Sequence, residues 1–225
     1  MITQRIQEIH SALPKNVKLI AVSKTKPIND IIEAYKAGQR IFGENKAQEM
    51  LQKYNELPKD IEWHMIGHLQ TNKVKYISHF VSLIHSVDSL KLLDVINKEG
   101  IKNNRIINCL LQIYIAQEET KFGLDENELK ELLNSETYRN MSHVNICGFM
   151  GMATFTSNSN QIRNEFKSLN ILFIKYKKSS LVKPELFNTL SMGMSDDYRI
   201  AIEEGSTMVR IGSHIFGERN YSKQL

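Results

Sequence analysis

The chain has 225 residues, 41% of them hydrophobic and 24% charged, a balance that suits a packed α/β domain and argues against disorder. Its 29 basic and 25 acidic side chains leave a net charge of +4, spread along the sequence and not gathered into the patch that a nucleic-acid binder carries. The two cysteines, Cys109 and Cys147, sit in apolar runs with neither a CxxC pair nor zinc spacing, which favours buried thiols over a metal site.

The N-terminal MITQRIQEIHSAL reads as an amphipathic helix, without the continuous apolar core or cleavage site of a signal peptide. No apolar run approaches the roughly 20 residues of a membrane span, so the expectation is a cytoplasmic protein with neither a membrane nor a nucleic-acid partner. Strands are expected at 17–23 (VKLIAVS), 41–45, 61–67, 80–87, 108–116, 145–153, 186–192 and 208–212. Several are almost continuously apolar, as strands covered on both faces should be. Helical patterns lie between them. PINDIIEAYKAG has apolar residues at helical spacing, Pro27 at its start and Gly38 at its stop, and LKLLDVINKEG repeats the pattern with an expected stop at Gly100. DENELKELL opens with acids that suit a helix N-terminus. TSNSN at 156–160 reads as a surface loop before a helix over 161–178.

Strict β/α alternation means a parallel sheet. Eight strands suggest closure into a (β/α)8 TIM barrel, one domain over 1–225, in which each strand but the last is followed by a clear helix. An open doubly wound sheet is the alternative, weakened by the lack of a Gly-rich fingerprint after the first strand.

In such a barrel, binding residues gather where strands end, and a phosphate site often follows strands seven and eight. Strand one ends in AVSKTKP. A lysine desolvated there, Lys24, can act as a nucleophilic amine. Lys26 has the same parity but lies beyond the strand, beside Pro27. Strand seven ends in LSMGMSDD, with the hydroxyls of Ser191 and Ser195, Gly193 for close approach, and a helix expected to begin near Ser195–Asp197. Strand eight ends in VRIGSHIFG, where Gly212 and Ser213 offer backbone N–H groups. The two loops together form a plausible phosphate cup, although either alone reads as an ordinary cap. Arg210, within the last strand, needs an acceptor if it faces inward: an aromatic nitrogen, or a carboxylate such as Glu44, Glu203 or Glu204. Glu44 and Asn45 could position a ligand ring at the mouth, and helix capping by Asn45 is an equally simple explanation. His68, Gln70, Asn72 and Lys73 are rim groups, and Lys121 is either a second amine near a ligand or a surface charge.

The segments AVSKTKP, FGENKAQE, WHMIGHLQTNK, LSMGMSDD and STMVRIGSHIFG together resemble the pyridoxal phosphate homeostasis protein (YggS/PROSC) family, in matching order from the first strand to the last. The resemblance implies a fold type III barrel like the N-terminal domain of alanine racemase, holding pyridoxal 5′-phosphate (PLP). It makes Lys24 the Schiff-base lysine. Ser191, Gly212 and Ser213 become the phosphate site, Arg210 the residue facing the pyridine nitrogen, and Asn45 part of the pocket lining. It also implies a role in buffering or delivering PLP, with PLP-dependent apo-enzymes as acceptors. GFMGMATF at strand six departs from the family's GLMAIP-like pattern and leaves the wall near Met150 and Met152 undefined.

The expected function is therefore a monomeric PLP carrier without efficient turnover. Alanine racemases carry the same arginine but add a domain that supplies a catalytic tyrosine. Only 13 residues follow Gly212 here, with Tyr221 the one tyrosine among them, so a second base for racemisation is not evident. The alternatives are a minimal racemase or related PLP enzyme, and a class I aldolase using Lys24.

Overall fold

The computed structural model describes residues 1–117 and 122–218. Eight strands close into a barrel in chain order: β1 (Lys18–Val22), β2 (Ile41–Glu44), β3 (Glu62–Met65), β4 (Leu83–Val87), β5 (Ile107–Gln112), β6 (Val144–Met150), β7 (Thr189–Ser191) and β8 (Met208–Ile211). All neighbours are parallel, and β8 returns to β1 with Ile20 level with Arg210. Each expected strand coincides with one of these. Most end a few residues early, where the chain leaves the barrel to build the mouth.

Side chains alternate across each strand. Leu19, Ala21, Trp63, Met65, Phe149, Val209 and Ile211 face outward into the large core shared with the helices. Ile20, Leu83, Leu110, Met150 and Met208 form a smaller apolar cluster inside the barrel. At the same inward parity stand buried polar residues, among them His64, His85, Gln112, Ser191 and Arg210.

The outer layer comprises α1 (Ile2–Ala12), α2 (Ile28–Lys36), α3 (Ala47–Glu56), α4 (Leu90–Lys102), α5 (Glu126–Asn134), α6 (Glu136–Arg139), α7 (Ser159–Lys177), α8 (Tyr198–Glu203) and α9 (Ser213–Phe216). Pro27 precedes α2 with its φ already at −68°, and Gly38 ends the turn after it at φ +96°. Asp125 and Glu128 close a capping box at the start of α5.

Three expectations need correction. The segment after β3 forms a 3-10 helix, Thr71–Tyr76, and not an α-helix. Only Val74 of that segment is buried, too narrow an apolar face to anchor full α-helical turns. Gly100 does not stop α4, which runs on to Lys102. A Cβ at Gly100 would lie 2.8 Å from the carbonyl oxygen of His143 and 2.9 Å from that of Arg105, so the glycine admits close backbone packing inside the helix. α8 begins at Tyr198, because Asp197 turns back to accept the Met194 N–H at 2.5 Å.

No helix among the described residues is long and apolar enough to cross a membrane. No group of three or more His, Cys, Asp or Glu side chains among them could hold a metal ion.

Candidate functional site

A cavity of about 470 Å³ opens at the C-terminal ends of the strands, within the usual range for small-molecule sites. Of the six sequence-predicted binding residues, Lys24, Asn45, Arg210, Gly212 and Ser213 line it, and Ser191 does not.

Lys24 is carried on a tight turn between β1 and α2, pinned on both sides. Before it, the Ser23 carbonyl accepts from the Lys53 ammonium at 2.8 Å, and the Ser23 hydroxyl donates to Glu44 at 2.6 Å. After it, Thr25 adopts φ +64°, a costly conformation for a β-branched residue. The Thr25 N–H donates to the Glu49 carboxylate at 2.6 Å, and that charge-assisted bond offsets part of the strain. Lys26 also borders the cavity, but its ammonium donates to the carbonyls of Phe216, Gly217 and Glu218 at 3.0–3.1 Å. A lysine holding three carbonyls with its protons is poorly placed to be a nucleophile.

Glu44 does not stand at the mouth. Its carboxylate lies fully buried behind the barrel wall, 2.8 Å from Lys53, whose Nζ also contacts Glu49 at 2.7 Å. Burial pushes the Glu44 carboxyl up to about 7, against the pull of Lys53. Asn45 lines the cavity and does not cap α3, whose N-cap is Lys46 with no side-chain bond.

The phosphate-cup candidates need one exchange. The Ser191 hydroxyl points into the barrel, where it accepts from Arg210 Nη1 at 2.7 Å and contacts His85 Nδ1 at 3.0 Å. Ser195, four residues on, reaches the cavity, and its oxygen accepts the Gly212 N–H at 3.3 Å. Gly193 makes the intervening turn at φ +95°, where a Cβ would lie 2.6 Å from that of Ala201. Asp197 also borders the cavity, and burial raises its pKa while the Met194 N–H and Arg210 hold it down.

Arg210 is paired with none of the carboxylates considered for it. Glu203 and Glu204 bind Arg163 instead. Among the described residues Arg210 donates only to neutral oxygens: Ser191 O at 2.9 Å, Ser191 Oγ at 2.7 Å and Gly151 O at 3.1 Å. Burial pulls its pKa down to about 10, with Asp197 opposing, so it stays protonated at neutral pH. An interior cation without a carboxylate partner, lining an open cavity, suits an electron-rich ligand atom.

On the opposite rim, His68 pairs with Asp88 at 3.2 Å and stacks on Phe122 with ring centroids 4.4 Å apart. With Gln70 and Lys73 it borders a second hollow of about 230 Å³, while Asn72 is exposed. The uncertain wall after β6 divides: Met150 belongs to the barrel interior, and Met152 lines the cavity. Lys121 and Tyr221 lie outside the described residues. Sequence reasoning missed Lys53, Glu49, His64 and His85. A signal existed for the histidines, since each alternates with outward apolar residues in WHM and LIHSV.

A family model described as alanine racemase, N-terminal domain, matches residues 1–220. The pyridoxal phosphate homeostasis protein of Aquifex aeolicus (strain VF5) is 43% identical over 206 residues, covering 91% of this chain and 88% of that protein. The chain belongs to the pyridoxal phosphate homeostasis protein family. Among solved structures, PipY of Synechococcus elongatus PCC7942 with PLP bound is 35% identical, with a TM-score of 0.86 over 96% of this chain and 100% of that one. The alanine racemase of Bartonella henselae, with covalently bound pyridoxal phosphate, superposes with a TM-score of 0.70 at 16% identity, and this chain spans 58% of its length. That likeness shows that this family shares the barrel of alanine racemase.

Proposed function

We propose that the chain binds PLP covalently through Lys24 and carries or buffers it without efficient turnover of its own. The observation that carries this reading is the convergence of Lys24, Arg210, Ser195, Gly212 and Ser213 on one cavity. The cavity is open beside an interior arginine that has no carboxylate bonded to it. These residues fit the group. The Lys24 amine can condense with the aldehyde and release water. The Ser195 and Ser213 hydroxyls and the Gly212 backbone would supply donors to the phosphate, and Asn45 would stand beside the ring. PipY, which shares the fold at 35% identity, has a solved structure with PLP bound.

Bound PLP supplies an electrophilic aldehyde and a ring that draws electron density most strongly when its nitrogen is protonated. Arg210 would offer that nitrogen a donor and keep it unprotonated. Neither histidine nor tyrosine is among the described residues lining the cavity; the proton-carrying side chains there, besides Lys24, are Lys26, which is bonded to three carbonyls, and the carboxylates of Asp196, Asp197 and Glu218. One barrel domain of cytoplasmic location, monomeric and handing PLP to apo-enzymes, is part of the same proposal.

Borohydride reduction of the PLP-loaded protein, followed by peptide mapping, should place the adduct on Lys24. An adduct confined to Lys26 or Lys121 would overturn the assignment. Incubation with L-alanine, L-serine and L-glutamate in deuterium oxide, read by chiral chromatography, tests the carrier role. Turnover on the order of 1–10³ s⁻¹ that vanishes in Lys24→Ala would establish an enzyme instead.

A further inference from the structure

A chain of hydrogen bonds crosses the inside of the barrel. Arg210 Nη1 lies 2.7 Å from Ser191 Oγ, which lies 3.0 Å from His85 Nδ1, and His85 Nε2 lies 3.0 Å from His64 Nδ1. Each of the four residues is 4% exposed or less, and their apolar neighbours inside the barrel are those of the Ile20, Leu110 and Met150 cluster. Polar groups are expensive there unless bonded.

The arginine sets the direction of the chain. A guanidinium only donates, so Ser191 Oγ accepts from it; among the described residues the one other hydrogen-bond contact of that oxygen is His85 Nδ1, so the hydroxyl hydrogen is satisfied only when it points there. His85 Nδ1 must then be the acceptor, which puts its proton on Nε2. That proton is donated to His64 Nδ1, and His64 in turn carries its proton on Nε2. Every bond in the series has the same sense, with the electron-rich end toward Arg210.

Resting on the cofactor reading above, we infer that His85 and His64 are positioning residues. Through Ser191 they fix the Arg210 guanidinium at the cavity with neutral dipoles in place of a carboxylate. The chemistry explains the choice. A carboxylate at Ser191 would form a bidentate pair with Arg210 and draw the guanidinium toward itself, away from a weak acceptor such as a ring nitrogen. A neutral, directional chain holds the side chain still while leaving its charge for the ligand. The two histidines must stay uncharged for this, since a protonated imidazole would present a donor to a donor. Burial lowers both: His64 to about 3, with Lys18 adding to the effect, and His85 well below its usual value, with His64 and Arg210 adding. The charged or titratable groups facing the chain are thus Lys18 at one end and Arg210, with Asp197 behind it, at the other.

Nitrogen-15 NMR of histidine-labelled protein without cofactor tests the chain by itself. Both rings should show the Nε2–H tautomer, unchanged across the range of about pH 5 to 8 in which an ordinary histidine titrates. An Nδ1–H tautomer at His85, or titration of either ring in that window, would overturn the inference without touching the cofactor reading. PLP labelled at the ring nitrogen then reports on Arg210. In the unsubstituted protein its shift should be that of an unprotonated nitrogen, and a protonated one would instead count against the cofactor reading. In His85→Leu the shift should move toward the protonated value, with PLP held roughly tenfold less tightly. In His85→Gln, whose amide can accept from Ser191 and donate to His64, shift and affinity should return close to the starting values. A ring-nitrogen shift unmoved in a folded His85→Leu would sink the positioning role. If that variant does not fold, a His85→Gln protein with a protonated ring nitrogen would do the same.

Discussion

Lys53 Nζ lies 2.8 Å from the carbonyl oxygen of Ser23, so a lysine on α3 holds the backbone immediately before Lys24. The same ammonium bridges Glu44 and Glu49, and Glu49 takes the Thr25 N–H on the far side of Lys24. One buried cation thus organises both ends of the turn. Lys53→Met removes an ammonium bonded to two carboxylates, and breaking a buried pair from one side costs about 3–5 kcal/mol. Urea unfolding at pH 8 should show a loss of that order. The loss should shrink at pH 5, where Glu44 can be neutral. An equal loss at both pH values would mean that packing, not charge, explains the effect.

Glu44 gives the fold a pH dependence of definite sign. Burial raises its carboxyl from an ordinary 4.5 to about 7, so the folded protein keeps that proton at pH values where the unfolded chain has released it. This contribution to stability is fully present below pH 4.5 and is lost as the pH rises through about 7. Glu44→Gln keeps an acceptor for Ser23 and Lys53 but cannot ionise. Denaturation midpoints of the two proteins, compared from about pH 4.5 to 8, should diverge upward, with the variant losing less stability as the pH rises. Parallel curves would remove Glu44 as the titrating group.

Gly100 offers a test of packing against propensity. In an exposed helix, glycine to alanine stabilises by about 0.8–1 kcal/mol. Here the added methyl would press on the carbonyls of His143 and Arg105 at 2.8 and 2.9 Å. Overpacking against backbone typically costs about 1–3 kcal/mol. Gly100→Ala should therefore lower the thermal midpoint, and a rise would show that the α4 neighbourhood yields easily.

The same glycine shows what a sequence can and cannot disclose. Period-two and period-3.6 patterns are local, so all eight strands and the closure of the barrel were legible, as was the placement of Lys24, Arg210 and Gly212 at strand ends. Whether a glycine stops a helix or admits a neighbouring strand depends on what the fold brings up against it, and His143 is distant in sequence. Ser191 and Ser195 posed a similar problem. Both are hydroxyls of one motif, Ser191 closing β7 and Ser195 following it, and only the inward direction of that last strand residue separates them. The Lys53–Glu44–Glu49 group was hidden because Glu49 and Lys53 read as ordinary charges on an amphipathic helix and Glu44 as a residue of the mouth, and burial is a tertiary property.

The exchange of Ser195 for Ser191 in the phosphate cup leads to a direct comparison of two alanine variants. Ser195 borders the cavity and its oxygen meets the Gly212 N–H, so a hydroxyl there can donate to a bound phosphate. Losing one hydrogen bond to a charged group costs roughly 1.5–3 kcal/mol. Ser195→Ala should weaken PLP by that amount and barely change the affinity for pyridoxal, which lacks the phosphate. Ser191 has no route to the phosphate except through Arg210, whose Nη1 it holds at 2.7 Å. Its loss leaves a buried guanidinium proton and a buried His85 nitrogen without their partner, and the consequence falls on whatever Arg210 contacts. Ser191→Ala should therefore weaken PLP and pyridoxal by the same factor and should lower the stability of the protein without ligand, which Ser195→Ala should not. Fluorescence titration with both compounds, alongside thermal unfolding of the unliganded variants, separates the two roles. If Ser191→Ala proved selective for PLP over pyridoxal, the hydroxyl would have to turn from Arg210 to the phosphate on binding, and the original assignment of Ser191 to the cup would stand.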